Sequence, residues 1–210
     1  FGTSIAVEEF SRIAQNLRTT YIDYSDYYDP TTKNNLDLVQ WAIEAHSSGW
    51  GYVWGTYGHV LTRSYYEAKL AQYPEGVGNY ADFILANWLG KRTADCVGLV
   101  KGYCWFDPEA QSIGYAVNGM PDIATEQMIE WCDEKGSMST MPEIPGLLLW
   151  MDGHVGIYIG DGYAIEAMGT RYGVVKTQVA GRGWQKWGKI PCIEYIEEAE
   201  ETEPTEAAVG

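Results

Sequence analysis

Residues 147–178 have the sequence LLLWMDGHVGIYIGDGYAIEAMGTRYGVVKTQ. Val, Ile, Leu and Tyr dominate short segments of this stretch, and Asp-Gly, Gly-Asp-Gly and Gly-Thr separate the segments. Short apolar segments bounded by such turn residues are typical of neighbouring antiparallel strands. The stretch therefore predicts four strands, over residues 147–150, 154–159, 163–167 and 173–177. A fifth strand is predicted further along the chain, over residues 190–196.

The residues before this stretch follow a helical period instead, because their apolar side chains recur every three or four positions. Asn35 and Asp95 are suited to cap the first turns of two helices, and Gly49 and Gly136 are suited to end two. One predicted helix begins at residue 36, and four more span residues 62–71, 79–89, 96–104 and 122–135. Helices followed by an antiparallel meander indicate an α+β fold, with the helices packed on a sheet of about five strands.

Composition divides the chain into three parts. Residues 1–35 form an N-terminal arm, with a short helix predicted over 4–17 before a loop rich in Tyr, Asp and Pro. Residues 36–196 form one domain. Residues 197–210 carry six glutamates and no Lys or Arg, which is typical of a disordered acidic linker or tail. Because the chain begins with Phe1 rather than Met, we expect a processed or excised fragment.

Charge excludes one large class of function. The chain of 210 residues has 14 Lys and Arg against 29 Asp and Glu, a formal charge of −15, of which −9 remains without the acidic tail. No basic surface is therefore expected that would bind the phosphates of a nucleic acid. No apolar run reaches the length of about 18 residues that a membrane span needs, and no leader opens the chain.

Cys96, in the run TADCVGLV, is the first candidate for chemistry. A cysteine in the first turn of a helix lies where the helix dipole and free backbone N–H groups favour the nucleophilic thiolate. The same N–H groups are able to stabilise an oxyanion. Taken alone, Cys96 is equally well explained as a small buried side chain. Cys104, Cys132 and Cys192 are most simply buried hydrophobic residues, and a Cys104–Cys132 disulfide stays open.

His154 and Glu166 lie on consecutive predicted strands. Strand alternation places His154 with Gly156 and Tyr158 on the polar face, opposite the apolar face that meets the core. If the strands are antiparallel neighbours, the Glu166 carboxylate would accept from Nδ1–H of His154 and orient the imidazole as a general base. Cys96, His154 and Glu166 are then a candidate triad. The alternative is an ordinary strand carboxylate paired with Arg171 or solvent.

Three motifs in order resemble the NlpC/p60 family of cell-wall cysteine peptidases. They are GYVWG at 51–55, DCVGLV at 95–100 and GHVGIYIG at 153–160, followed by IEA at 165–167. The resemblance covers roughly residues 36–196, and the ordered set is specific where one motif alone is weak. It implies a papain-like fold, with the nucleophile at a helix N-terminus.

The resemblance implies Cys96 as the nucleophile, His154 as the general base and acid, and Glu166 as the orienting residue. It places Tyr52 in the cleft near the oxyanion. Asp95 precedes the nucleophile, and its capping role explains it equally well. Trp54 belongs to a glycine-rich aromatic loop suited to stacking on sugar or peptide, and His59 follows in the same loop. These four residues, Tyr52, Trp54, Asp95 and His59, are the candidate substrate-binding residues.

The function implied is hydrolysis of an amide bond in peptidoglycan stem peptides, between D-glutamate and the diamino acid, through a thioacyl-enzyme. Neither a metal nor an organic cofactor is implied. The expected partner is the stem peptide, the expected location is secreted or wall-associated in a bacterial or phage-encoded setting, and a wall-binding module beyond Gly210 is a possible further partner. Two alternatives stay open: an N-acetylmuramoyl-L-alanine amidase on the same scaffold, and an inactive wall-binding domain.

The sequence departs from the family pattern at three points. Val97 stands where a serine is usual after the nucleophile, and Glu166 stands where the third residue is most often histidine. About forty residues separate GYVWG from Cys96, far more than the usual short gap. The two helices predicted in this insertion are expected to wall or cover the cleft and to alter its substrate.

Overall fold

A computed structural model describes residues 32–196 of the chain. Residues 1–31 of the arm predicted over 1–35 and the acidic tail over 197–210 lie outside the described residues, as does the helix expected over 4–17. The described part contains six α-helices: α1 (Asn35–Ser47), α2 (Arg63–Gln72), α3 (Pro74–Gly78), α4 (Ala81–Asn87), α5 (Cys96–Trp105) and α6 (Thr125–Trp131). None of these helices is long and apolar enough to cross a membrane.

The strands form one large antiparallel sheet and two small ones. They are β1 (Tyr57–Val60), β2 (Arg92–Ala94), β3 (Phe106–Asp107), β4 (Ser112–Ile113), β5 (Lys135–Ser137), β6 (Leu148–Met151), β7 (His154–Gly160), β8 (Tyr163–Gly169), β9 (Gly173–Gln178) and β10 (Lys186–Gly188). The large sheet has six strands in the order β5-β10-β6-β7-β8-β9, and two-stranded sheets join β1 to β2 and β3 to β4. The meander predicted over residues 147–178 is confirmed as β6 to β9, and the α+β class with it.

Helix α5 is mostly buried and packs against both the sheet and α1. Leu99 and Val100 of α5 belong to one apolar cluster with Val155, Ile157 and Ile165 of the sheet. Because strand residues alternate between faces, the same residues that give β7 its Val-x-Ile pattern point towards the helix. The helix that begins with Cys96 is thereby fixed on the first residues of β7, where His154 lies.

The opposite face of the sheet is also covered, which differs from the prediction of a polar face. Gly156 and Tyr158 lie on that face, and Tyr158 is almost fully buried. A second apolar cluster forms there, with Leu147, Leu149, Ala164, Trp184 and Trp187 around Tyr158. The segment after β9 folds back over the sheet and brings Trp184 against Gly156, where a side chain larger than hydrogen would collide with the indole. His154 therefore lies at the rim of a buried face.

Two predicted elements are wrong. Residues 190–196 make only an isolated bridge, Glu194 to Asn34, because Pro191 has no N–H for a ladder and the chain turns there. The helix predicted over 122–135 spans only Thr125–Trp131, since Lys135 to Ser137 pair with β10 instead. Gly136 consequently lies within a strand, and the sheet gains the two short strands β5 and β10 that the sequence pattern did not indicate.

Residues 56–94, the insertion, form a small layer of their own. Helices α2, α3 and α4 surround a third apolar cluster made of Val53, Leu61, Tyr66, Val77 and Ile84. Strands β1 and β2 hold the two ends of this layer together, with Tyr57 opposite Ala94. The pairing of these strands therefore brings the GYVWG segment close to the start of α5, although about forty residues separate the two along the sequence.

The cysteines do not support a Cys104–Cys132 contact. Cys132 Sγ donates to the carbonyl oxygen of Met128 at 3.3 Å. Cys104 Sγ lies 3.7 Å from Cys192 Sγ instead, and all four cysteines are free. The neighbour of Cys104 is therefore a residue of the C-terminal segment rather than of α6.

Two glycines let α5 approach the backbone at the start of β1. Gly98 and Gly102 are one helical turn apart, and a Cβ on either would lie far closer than 3.0 Å to the carbonyl oxygen of Thr56 or Tyr57. Both positions therefore depend on the absence of a side chain, because the obstacle is backbone rather than a flexible side chain.

Gly102→Ala should lower the free energy of unfolding by about 2 kcal/mol, even though alanine favours helix, because the added methyl forces α5 away from the first residue of β1. Gly76→Ala in α3 is the matched control, since its Cβ would meet only the Trp54 side chain at 3.4 Å or more. Denaturant titration of both variants tests this. Equal stability of the two variants would contradict the close approach.

Candidate active site

A cavity of about 760 Å³ opens at the N-terminus of α5. Cys96 and His154 both line this cavity. The other residues that line it include Tyr52, Trp54, Lys69, Tyr73, Asp95, Lys101, Tyr115, Asp122, Glu126 and Gln127. A wider groove of about 1050 Å³ lies between α1 and residues 191–194 and contains none of the candidate catalytic residues. The structure thus brings the predicted nucleophile and base to one cavity.

Asp95 fixes the first turn of α5. Its Oδ1 accepts from the backbone N–H of Gly98 at 2.7 Å, which is the predicted N-cap. Its Oδ2 accepts from the N–H of Gly55 at 2.7 Å, and its own N–H donates to the carbonyl of Thr56 at 2.9 Å. Asp95 therefore ties the aromatic loop to the helix, and both carboxylate oxygens already have a backbone donor.

Cys96 is the first residue of α5. Burial raises the pKa of the thiol to about 12, and the negative charge of Asp95 adds to the rise, while N–H groups of Val155 and Val97 oppose it. Backbone N–H groups lower this pKa, which is the direction predicted for the helix N-terminus, but loss of solvation outweighs them. Cys96 rests as a thiol and needs a base to react.

His154 begins β7, immediately after the Asp152-Gly153 turn. Its Nε2 lies 2.6 Å from Oε2 of Glu166 on β8, and the Trp184 ring stacks on the imidazole at 5.7 Å with an interplanar angle of 15°. The predicted pair of His154 and Glu166 is present, but through Nε2 rather than Nδ1. Because Nε2 is committed to the carboxylate, Nδ1 is the nitrogen left to exchange a proton with another group.

Glu166 is fully buried and ionised. Besides His154, its partners are Arg182, which donates to Oε1 from Nε at 2.8 Å and to Oε2 from Nη2 at 2.7 Å, and Thr177, which donates to Oε1 at 2.7 Å. Burial alone would raise the pKa of Glu166, but the hydrogen bonds from His154, Arg182 and Thr177 outweigh it and lower the pKa to about 2. The carboxylate is thus a fixed negative charge beneath the imidazole.

Sequence reasoning missed Arg182 and Trp184. Arg171, the partner considered for Glu166, instead lies over the rings of Tyr80 and Phe83. Arg182 belongs to a turn between strands, where no periodicity marks a residue as a partner of a buried acid. The available signal was a chemical one: a glutamate on a strand with apolar neighbours on both sides needs a buried cation or several donors.

Three of the four predicted substrate-binding residues line the cavity. Tyr52, Trp54 and Asp95 line the cavity, and Trp54 is half exposed. Burial raises the pKa of Tyr52, and the charges on Cys96 and Asp95 act in the same direction, so its hydroxyl stays a hydrogen-bond donor. His59 does not line this cavity: its ring lies between Tyr57 and Tyr65 at centroid distances of 4.9 and 5.7 Å.

The insertion forms one wall of the cavity. Lys69 and Gln72 of α2 and the adjacent Tyr73 line it, while Val97 lines it on the α5 side. The expected wall is therefore present, and it brings a charged residue into the site. Within residues 32–196, no group of three or more His, Cys, Asp or Glu side chains is placed to hold a metal ion.

No protein-family model matches the chain, and no curated protein matches it. Among solved structures, the chain is similar to the NlpC/p60 domain of the peptidoglycan hydrolase SagA, at 20% identity over 75% of this chain and 99% of that one, with a TM-score of 0.43. It is similar to the P60 domain of the M. avium subspecies paratuberculosis antigen MAP1204, at 20% identity over 76% and 97%, with a TM-score of 0.42. It is also similar to the peptidoglycan hydrolase RipB from Mycobacterium tuberculosis, at 19% identity over 92% and 85%, with a TM-score of 0.43. The site's own residues, rather than these similarities, support the function proposed below.

The low pKa of Glu166 makes the fold sensitive to acid. A carboxyl whose pKa falls from 4.5 to about 2 on folding stabilises the fold above pH 4.5, and this stabilisation is lost as the pH falls through about 2. Between pH 5 and pH 2, the unfolding free energy of the wild type should therefore drop further than that of Glu166→Gln, by on the order of 3 kcal/mol.

Denaturant titration at several pH values measures the difference between the two proteins. Glu44→Gln, which removes an exposed glutamate of α1, is the matched control and should follow the wild type. Parallel curves for the wild type and Glu166→Gln would mean that Glu166 does not hold its charge in the folded state.

Proposed function

We propose that this chain is a cysteine-dependent peptidoglycan hydrolase of the NlpC/p60 type, which cleaves an amide bond of the stem peptide. The observation that carries the proposal is the buried ion network beneath one wall of the cavity: Glu166, held by Arg182 and Thr177, binds Nε2 of His154. A buried charge is costly, so a network that uses one to orient a histidine in the same cavity as a cysteine is better suited to proton transfer than to packing.

The first half of the reaction forms a thioacyl-enzyme. Nδ1 of His154 takes the proton from Cys96 Sγ as the sulfur attacks the amide carbonyl carbon, because the thiol does not ionise by itself at neutral pH. The charge that develops on imidazole is stabilised by Glu166. The hydroxyl of Tyr52, kept protonated by its raised pKa, is the side-chain donor in the cavity suited to the oxyanion.

The second half returns the enzyme to its resting form. The C–N bond breaks as His154 gives its proton to the leaving amine. Water then attacks the thioester, with His154 again taking a proton, and the acid product leaves as Sγ recovers its hydrogen. No step in this sequence requires a metal or an organic cofactor.

The bond proposed is the one between D-glutamate and the diamino acid, which the motif resemblance favours. An N-acetylmuramoyl-L-alanine amidase is the alternative on the same chemistry. One observation bears on substrate recognition: both oxygens of Asp95 accept backbone N–H groups, and Val97 has no hydroxyl. Recognition of a free stem-peptide amine by these two positions is therefore disfavoured.

A non-enzymatic wall-binding domain is the second candidate. It shares the cavity but has no use for a fixed tautomer of His154, so the Glu166 network disfavours it. The proposed substrate places the chain outside the cell or at the wall, as in a bacterial or phage-encoded hydrolase. The domain assignment of residues 36–196 and a wall-binding module beyond Gly210 stay part of the proposal.

Replacing the proposed nucleophile gives the direct test. Cys96→Ala should abolish clearing of purified cell walls, because among residues 32–196 Cys96 is the one thiol that lines the cavity. Cys192→Ala is the matched control and should remain active. Mass spectrometry of the wild-type digest identifies the bond: cleaved stem peptides indicate the endopeptidase, and glycan with a free lactyl acid indicates the amidase. Wall clearing by Cys96→Ala would refute the cysteine mechanism.

Glu166→Gln should keep the fold but lower kcat by roughly two to four orders of magnitude, since a neutral amide neither stabilises imidazolium nor fixes the tautomer. Circular dichroism establishes that the variant is folded, and release of soluble muropeptides measures its rate. Turnover close to that of the wild type would reduce Glu166 to a structural residue.

A further inference from the structure

The cavity contains a cation that the proposed reaction does not use. Lys69 lies on α2, in the insertion, and lines the same cavity as Cys96. Its Nζ is 6.0, 5.4 and 5.7 Å from the ring centroids of Tyr57, Tyr65 and Tyr73. Three rings at this distance hold an ammonium in place by cation–π attraction.

The other charges of the cavity wall are already paired. Lys101 is buried and donates to Asp122 at 2.5 Å, and Tyr115 donates to the other oxygen of Asp122 at 2.6 Å. Asp95 accepts from two backbone N–H groups, and Glu126 accepts from the N–H of Gly153 at 3.1 Å. Each lining carboxylate thus has its donors within the protein.

Lys69 differs from this pattern. It donates to Oε1 of Gln72 at 3.1 Å, and among residues 32–196 it forms no ion pair with a carboxylate. Burial lowers the pKa of Lys69, while the negative charges of Asp95 and Asp122 act in the opposite direction. An ammonium has three N–H donors, and only one of these is committed to a side chain.

We infer that Lys69 binds a carboxylate of the substrate next to the scissile amide. This inference rests on the proposed function and names the part of the stem peptide that the insertion recognises. In a γ-linked glutamyl residue the α-carboxylate lies close to the amide that is cut. The ammonium in its tyrosine cage is the cation of the cavity available to pair with it, whereas Glu126 and Asp122 would repel it elsewhere.

The inference predicts discrimination between an ionised glutamyl residue and its amidated form. A carboxamide has the same shape but no charge, and it offers a single acceptor oxygen to Lys69. The wild type should therefore favour the carboxylate by about tenfold or more, the value of one hydrogen bond between charged groups. Peptides that differ only in this group isolate the contribution of Lys69.

The experiment uses two synthetic stem tetrapeptides, one with a free glutamyl α-carboxylate and one with the carboxamide. Hydrolysis by the full chain gives kcat/KM, and calorimetry with Cys96→Ala gives binding without hydrolysis. Lys69→Gln should lose the preference for the carboxylate, and Lys69→Arg should keep most of it. Lys91→Gln, which removes an exposed lysine outside the cavity, is the control and should leave the preference unchanged.

The outcomes separate this inference from the proposed function. If Cys96→Ala prefers the carboxylate peptide and loses that preference with Lys69→Gln, the inference holds even where neither peptide is hydrolysed. If the wild type hydrolyses both peptides equally, or Lys69→Gln retains the preference, then Lys69 does not bind the substrate carboxylate. The proposed hydrolase activity is unaffected by that result. If neither peptide binds, the inference is refuted.

Discussion

The carboxylate of Glu166 is the charge on which the sheet and the candidate catalytic pair both depend. It is fully buried, on a strand whose neighbouring residues Ile165 and Ala167 point into the main core. An unpaired charge in that position would destabilise the fold severely. His154, Thr177 and Arg182 supply four hydrogen bonds to it, so the residue that orients the imidazole is also the one that fixes the turn after β9 over the sheet.

A second constraint acts on the other side of the cavity. Asp95 joins the cap of α5 to the loop that contains Tyr52 and Trp54, and Gly98 and Gly102 allow the helix to meet the backbone at the start of β1. Because each of these contacts involves the backbone of the helix or of the segment beside it, they leave little freedom in the position of Cys96. The insertion over residues 56–94 can therefore have its own small core, and place Lys69 on the cavity wall, without moving the nucleophile.

Local sequence signals predicted the elements that carry the site. Turn residues and β-branched segments indicated β6 to β9, and Asp95 before an apolar helix indicated the start of α5. The same signals failed for β5 and β10, which are three residues long and exist because Lys186–Gly188 pairs with strands on both sides. Residues 190–196 have the composition of a strand, but Pro191 has no N–H for a ladder and the chain turns there.

The sequence by itself determined the α+β class, the order of Cys96, His154 and Glu166, and the acid-rich composition that argues against nucleic-acid binding, since periodicity, turn chemistry and charge are local or additive properties. Only the tertiary structure decided which imidazole nitrogen meets Glu166, which cation neutralises that carboxylate, and that Cys96 rests as a thiol. It also decided that Lys69 faces the cavity whereas His59 does not. Hydrogen-bond partners and loss of solvation depend on residues brought together from distant parts of the chain, and no spacing along the sequence specifies them.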